Sequence, residues 1–371
     1  MAVISLTVSF LVIILSLTIS AGFRKQIREG VSSLTGDIQL TSPSANSYTN
    51  DVWVNSEPDF LPGLKEIKGV EAVTPAIYRA GIVQNGGELQ GVMFKAMPST
   101  DSIPLQLSIP RSLARTLRLS VGDGLRAYFV GERVQARGFT VKEIYEGISD
   151  NSGSPVVLAS IDDIRRLNGW SETQASALEI TLSERFRSRR AMKEKAVQIA
   201  GFAYGGSSDN HDPVLAVAAS DKYYNIFDWL DLIDFNVLAI LVLMILVAGF
   251  NMISGLLILL FRNIPTIGTL KALGMSDRGI AGVFMRVASR VVARGMLAGN
   301  ALALIFCLVQ HSTHFIHLNP DNYFVSYVPV HVDVTQILLV NAAAFAAIML
   351  LMLIPSLFIA KVDPADTVRV K

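Results

Sequence analysis

The chain holds a single cysteine, Cys307, among 371 residues. Without a second thiol there is no disulfide framework, and a lone thiol inside an apolar run reads as a small packing residue. Charge is also scarce: Asp, Glu, Lys and Arg make up 17% of the chain, against about a quarter in a soluble domain. Part of the chain is therefore expected in lipid. A net charge of +1, with no clustered basic face, argues against a nucleic-acid binder. No GxSxG elbow, HExxH helix, Walker A lysine loop or CxxC pair occurs, so the patterns that announce a catalytic or metal centre are missing.

What the chain does have is four stretches free of Lys, Arg, Asp and Glu, at 1–23, 235–261, 295–313 and 334–360. About 20 apolar residues in a helix cross the hydrocarbon core, so each predicts a membrane span. The first has no basic lead-in and a longer apolar core than a secretory signal, which predicts a retained anchor and a sequence that begins late or trimmed. Basic residues set the orientation. Arg262, Lys271, Arg278, Arg286, Arg290 and Arg294 against Asp277 place 262–294 in the cytoplasm, with the tail 361–371. The 24–234 segment and the 314–333 loop then lie outside, although Arg24, Lys25 and Arg28 follow the first span.

The outer segment reads as a folded α/β domain. Short helices are expected at 61–67, 111–117 and 161–167, and a longer amphipathic one at 183–199. Strands are expected at 70–74, 81–83, 91–96, 125–130, 139–144 and 156–159. Turns are expected at Asn85-Gly86-Gly87, at Asn151 to Ser154 and at Gly205 to Ser208, with His211 an isolated loop histidine. Asp228, Asp231 and Asp234 read as the wet face of a juxtamembrane helix rather than a cation site. His311, His314 and His317 read as an interfacial polar cap rather than metal ligands. Arg286, Arg290 and Arg294 recur every four residues; interface anchoring is the simpler reading, and anionic lipid binding the alternative. Asn251, Asn300 and Asn341 place an amide in each of the last three spans, where hydrogen bonding across helices is expected. Gly295 and Gly299, continued by Ala303, form a small-residue stripe for close packing, within the subunit or across a dimer.

The most informative stretch joins the second and third spans. Ile267, Leu270, Leu273 and Met275 predict a short amphipathic helix, with Pro265 tolerated at its start and Gly274 as its C-cap. Such a helix is either a knob for a soluble partner or a connector on the membrane surface. Here the sequence resembles a known family. Ile267 to Gly274, followed by Ile280 and Phe284, is similar to the IxxLKxLG…I…F segment of the FtsX/MacB/Lol permease superfamily. Ile109 to Asp123 resembles its LAxxLxLxxGD stretch, continued by Phe139 to Tyr145 and Val156 to Leu167. Ile354 to Arg369 resembles its closing PAxxAxxxdPxxxLR element. His317 to Val330 is similar to the LPxxxYxxxxLPV loop of the lipoprotein-releasing LolC/LolE branch. Thr266 stands where the family often has an acid.

The resemblance implies an α-helical membrane domain of four spans with a large α/β periplasmic domain between the first and second. It implies a permease subunit of an ABC transporter in the bacterial inner membrane. Pro265, Ile267, Leu270, Lys271, Leu273, Gly274 and Met275 would couple to the ATPase. Phe10, Ile14, Leu17, Phe235, Leu238 and Val242 would line a lipid-substrate cleft between the first two spans. The implied partners are a LolD-like ATPase, which carries ATP and magnesium, a second permease subunit, a lipoprotein substrate and a LolA-like periplasmic carrier. This chain would hold no cofactor and perform no hydrolysis. A MacB-like exporter or an FtsX-like activator of cell-wall hydrolases is the alternative within the superfamily; a membrane-anchored sensor is the alternative outside it.

Overall fold

The computed structural model describes residues 2–45, 52–98, 103–131, 133–146, 153–205, 214–319, 323 and 325–356. The expected features at Asn151, Ser152, Gly206 to Ser208 and His211, and the tail 361–371, lie outside them. The chain forms two compact units. One comprises Met1–Lys25, Leu230–Leu318 and Tyr327–Lys371, the other Gln26–Trp229 and Asn319–Ser326.

Helix α1 (Ala2–Thr35) begins in the first unit and ends in the second. It runs twelve residues beyond the span expected at 1–23, because Ile27, Val31 and Leu34 keep a buried helical stripe until Gly36 turns the chain at φ +67°. The second unit then proceeds through β1 (Ile38–Thr41), β2 (Val54–Asn55), α2 (Leu61–Glu66), β3 (Val70–Asn85), β4 (Glu88–Met97), β5 (Gln106–Pro110) and α3 (Arg111–Leu117). It continues through β6 (Gly124–Phe129), β7 (Gln135–Tyr145), β8 (Val156–Ser160), α4 (Ile161–Asn168), β9 (Gln174–Ala175) and β10 (Ala177–Leu182). A 3₁₀ turn (Glu184–Phe186), α5 (Arg189–Gly205), β11 (Leu215–Ala218) and α6 (Ala219–Lys222) complete it. The expected helix at 183–199 is thus a 3₁₀ turn followed by a helix shifted toward the C-terminus.

Nine strands run in the order β11-β1-β10-β3-β4-β8-β5-β7-β6, and β6 pairs again with β3. That last pairing closes β3-β4-β8-β5-β7-β6 into a six-stranded barrel. Strand β3 serves both parts. Its first half pairs with β10 as far as Ala76, and from Ile77 onward it pairs with β4. Pro75 lies just before the change of partner, where a missing N–H costs least. The barrel is filled by Phe94, Phe129 and Phe139, with ring centroids 4.8 and 6.0 Å from that of Phe94, and by Val83, Leu107, Val141 and Val157. Gly81 leaves room for them: a Cβ there would lie 2.9 Å from the Phe94 ring and 3.2 Å from that of Phe129.

Among the described residues four helices are long and apolar enough to cross a membrane: α1, α7 (Tyr224–Arg262), α9 (Asp277–Thr313) and α10 (Val334–Leu351), with α9 and α10 and the greater part of α1 and α7 in the first unit. Short α8 (Ile264–Ala272) lies between α7 and α9. Helix α7 starts eleven residues before the expected span, carrying Asp228, Asp231 and Asp234 on the same continuous helix. Helix α1 is the most enclosed of the four. Leu6 and Phe10 sit in a cluster with Met252, Leu256, Ile280, Phe284 and Ile348. Ile13, Ile14 and Leu17 sit with Ala303 and Ile337, against which Leu241 and Met244 pack. Gly295 and Gly299 make this possible. A Cβ at Gly295 would meet the Leu6 Cβ at 2.5 Å, and one at Gly299 would meet the Thr7 carbonyl oxygen at 2.6 Å. The small-residue stripe therefore packs within the subunit, against α1.

Candidate functional site

Helix α7 ends at Arg262, where the Asn263 side-chain Nδ2 donates to the Leu259 carbonyl at 2.7 Å. Pro265 then opens α8, its missing N–H costing nothing in the first turn. Ile267 is buried against Leu260, Ile280 and Phe284, and Leu270 and Met275 are half-buried on the same cluster. The helix stops in a Schellman motif. Gly274 N–H donates to the Lys271 carbonyl and Met275 N–H to the Leu270 carbonyl, both at 2.9 Å, with Gly274 at φ +88°. Two residues later, Ser276 caps α9 by accepting the Gly279 N–H at 3.2 Å. Lys271 Nζ lies 2.9 Å from Asp277 Oδ1, bracing the turn from one helix to the next.

The turn is therefore held by its own hydrogen bonds, and α8 is fixed to the bundle through its inner face. Its outer face presents Pro265, Thr266, Thr269 and Leu273, and Leu273 is 80% exposed. Here the structure divides the expected coupling set. Ile267, Leu270 and Met275 hold the helix in place, and Lys271, only 10% exposed in its side chain, belongs to the Asp277 ion pair. The residues left for a partner are Pro265, Leu273 and Gly274 with two threonines. Because nothing lies within 4 Å of a Cβ at Gly274, Gly274→Ala meets only backbone strain. It should cost about 1–2 kcal/mol, read as a lower thermal midpoint of the full chain.

The expected cleft set also divides. Phe10, Ile14 and Leu17 are buried inside the bundle and do not line an open cleft in this chain. Phe235, Leu238 and Val242 are exposed on α7. Of the amides, Asn251 donates through Nδ2 to the Ser5 hydroxyl on α1. The Oδ1 atoms of Asn300 and Asn341 are buried with no hydrogen-bond partner among the described residues, so the expected cross-helix bond is not made through those atoms.

At the outer ends of α1 and α7, Asp234 accepts from Ser20 Oγ at 3.0 Å and pairs with Arg24. Arg24, an outlier to the charge rule, is thereby neutralised locally. Asp228 is held by Arg189 at 2.7 Å, so the three aspartates do not gather into one site. Helix α9 ends at Thr313, and His314 adopts φ +48° beyond it, its ring 4.0 Å from that of Tyr327. His317 forms a β-bridge with Tyr327. Among the described residues no three His, Cys, Asp or Glu side chains are grouped to hold a metal ion.

A second constellation, not expected from the sequence, lies in the other unit where α1 ends. Lys95, 1% exposed in its side chain, is 2.8 Å from Glu179 Oε2 and donates to the Ser33 carbonyl at 2.7 Å. The Tyr78 hydroxyl bonds Glu179 Oε1 and lies 3.0 Å from the Leu34 carbonyl. Gln39 donates to that hydroxyl at 2.7 Å and accepts from Lys222 Nζ at 2.8 Å. Burial pushes Glu179 and Tyr78 up and Lys95 down, with the Lys95 and Glu179 charges opposing burial in each other. An ammonium and a hydroxyl thus meet carbonyls that the last turn of α1 leaves unpaired. One signal was available in sequence: Lys95 stands in the otherwise apolar stretch 91–97.

Residues 238–364 match the FtsX-like permease C-terminal family. Helices α8, α9 and α10 lie within that match, and α7 does from residue 238 onward. Through this C-terminal third the chain is similar to FtsX-like permeases, and it is a membrane protein with a periplasmic domain between its first two spans. Across 99% of its length it is 21% identical to the lipoprotein-releasing system transmembrane protein LolC of Xylella fastidiosa strain Temecula1, covering 92% of that protein. It is also 21% identical to LolE of Haemophilus influenzae, over 98% of this chain and 92% of the relative. The periplasmic region of MacB from Actinobacillus actinomycetemcomitans is similar to 51% of the chain and 91% of its own length, at TM-score 0.32 and 9% identity.

Proposed function

We propose that the chain is the permease subunit of an ABC transporter that extracts lipoproteins from the inner membrane for sorting to the outer membrane. A separate LolD-like ATPase drives it, a second permease subunit completes the membrane part, and a LolA-like carrier receives the product. The observation that carries the ATP-driven part is α8. It is braced by the Schellman turn, the Ser276 cap and the Lys271–Asp277 pair, yet it exposes Leu273 at its tip. A large apolar side chain on a rigid support suits a partner's pocket and transmits a push without bending. The full-length likeness to proteins named for lipoprotein release supports the substrate. Since Phe10, Ile14 and Leu17 are enclosed, the acyl chains would meet the exposed face of α7 carrying Phe235, Leu238 and Val242, opposite a second subunit.

Leu273→Asp removes the tip without touching the bundle cluster. It should reduce copurification of a P-loop ATPase by at least about tenfold, as expected for loss of a buried apolar anchor, while leaving the thermal midpoint of the permease unchanged. Unaltered copurification and transport would sink the coupling assignment. Native mass spectrometry of the complex in lipid-preserving detergent tests the substrate separately. A bound acylated lipoprotein supports release, and a soluble periplasmic substrate in its place would favour a MacB-like exporter.

A further inference from the structure

The cytoplasmic lead-in of α9 carries a charged face that no other described residue pairs with. Arg286, Arg290 and Arg294 are exposed on one side of the helix, while Phe284, Ala288, Val292 and Gly295 are buried on the other. None of the three guanidinium groups has an acidic or hydrogen-bonding partner among the described residues. The same holds for Arg262 and Arg278, and the one nearby acid, Asp277, is already paired with Lys271. Going up the helix, the arginine face continues without rotation into Leu297, Ala301, Leu304 and Leu308, all exposed. At 100° per residue these seven positions fall within about a quarter of the helix circumference.

We infer that this face is a binding surface for anionic phospholipids of the inner leaflet. The apolar upper part takes acyl chains and the three arginines take the phosphates of the same lipids. Depth supports this occupant. Arg294 adjoins the uncharged segment that begins at Gly295. Arg290 and Arg286 follow about 6 and 12 Å further out, which carries the row through the headgroup layer, about 5–8 Å deep on each side of a bilayer, and just past its edge. Charge supports it as well, since several unneutralised guanidinium groups along one lipid-facing line complement phosphate, and planar forked donors bind it in pairs. A protein partner would need to cover a large apolar face and an arginine row together, whereas a lipid column matches both.

The test uses the purified full-length protein in detergent, titrated with phosphatidylglycerol or phosphatidylcholine, with bound lipids counted by native mass spectrometry. Phosphatidylglycerol should be retained over phosphatidylcholine by at least about tenfold, given the surface attraction of three arginines. That preference should vanish in R286Q/R290Q/R294Q and persist in R286K/R290K/R294K. It should also persist in R126Q/R137Q, two exposed arginines of the periplasmic unit. Added inorganic phosphate should not displace the lipid. Equal retention of both lipids by the wild type would overturn the inference, and so would unchanged preference in the triple glutamine variant. Release of a copurifying protein chain by that variant, with no change in lipid, would assign the face to a protein instead. If the triple variant fails to fold, the wild type alone decides: a preference unaffected by roughly 1 M salt, which screens exposed charges, would refute electrostatic capture.

Discussion

Lys95→Met is expected to destabilise the periplasmic unit by about 3–5 kcal/mol, the cost of leaving a buried carboxylate without its counter-charge. For a unit of this size that is a fall in thermal midpoint of roughly 6–20 °C, measurable by differential scanning fluorimetry of the full chain. Two losses combine. Glu179 keeps the Tyr78 hydroxyl and the charge of Lys222, to which it is not hydrogen-bonded, and the Ser33 carbonyl at the end of α1 loses its ammonium donor. The double variant Lys95→Met with Glu179→Met should regain most of the stability, because well-packed apolar residues replace a buried pair at little cost. A single variant as stable as wild type would remove the network from the fold's essentials. A double variant as unstable as the single would show that geometry at α1, not charge, was at stake.

The second large effect is at Gly299. Alanine normally improves a helix interior by about 1 kcal/mol over glycine, and Gly282, with nothing within 4 Å of a built Cβ, should show that gain. At Gly299 the new carbon would lie 2.6 Å from the Thr7 carbonyl oxygen, 2.7 Å from Phe10 Cβ and 3.0 Å from the Leu11 nitrogen. Two of these are backbone atoms that cannot rotate away, so α1 itself must shift. Gly299→Ala should therefore destabilise the bundle by about 1–3 kcal/mol, with the opposite sign from Gly282→Ala on the same helix. Matching signs in unfolding measurements on the two variants would contradict the packing of α1 on α9.

The four spans were legible because lipid forbids charge along a run, a rule that needs no tertiary information. The turn at Gly274 was legible for a similar reason, since a helix stop is local chemistry. What escaped depended on distant partners. Strand β3 reads in sequence as two short strands, 70–74 and 81–83, because its continuity rests on distant partners: Pro75 lies at a change of partner and Gly81 makes room for the rings of Phe94 and Phe129. Barrel closure depends on Ile82 meeting Tyr128, with no local signature at either place. Phe10, Ile14 and Leu17 were expected at a cleft because a bundle interior and a lipid-facing surface use the same apolar residues. Lys271 looked free for a partner until Asp277 was found folded back beside it. Lys95 and Glu179 lie 84 positions apart, so neither announced the other.

The way α1 enters the sheet leaves very little slack. Only Gly36 and Asp37 separate the end of the helix from β1, and two extended residues span at most about 7 Å. Asp37 is itself tethered: its carboxylate accepts from Leu182 N–H at 2.7 Å and Arg187 Nε at 3.1 Å, and its carbonyl accepts from Ala219 N–H at 2.9 Å. Strand β1 pairs along its length with β11, which passes through α6 into α7. A twist of α1 about its own axis therefore has no flexible tether in which to dissipate. It must turn the β1–β11 ribbon as well, so the end of α1 and that ribbon move as one piece.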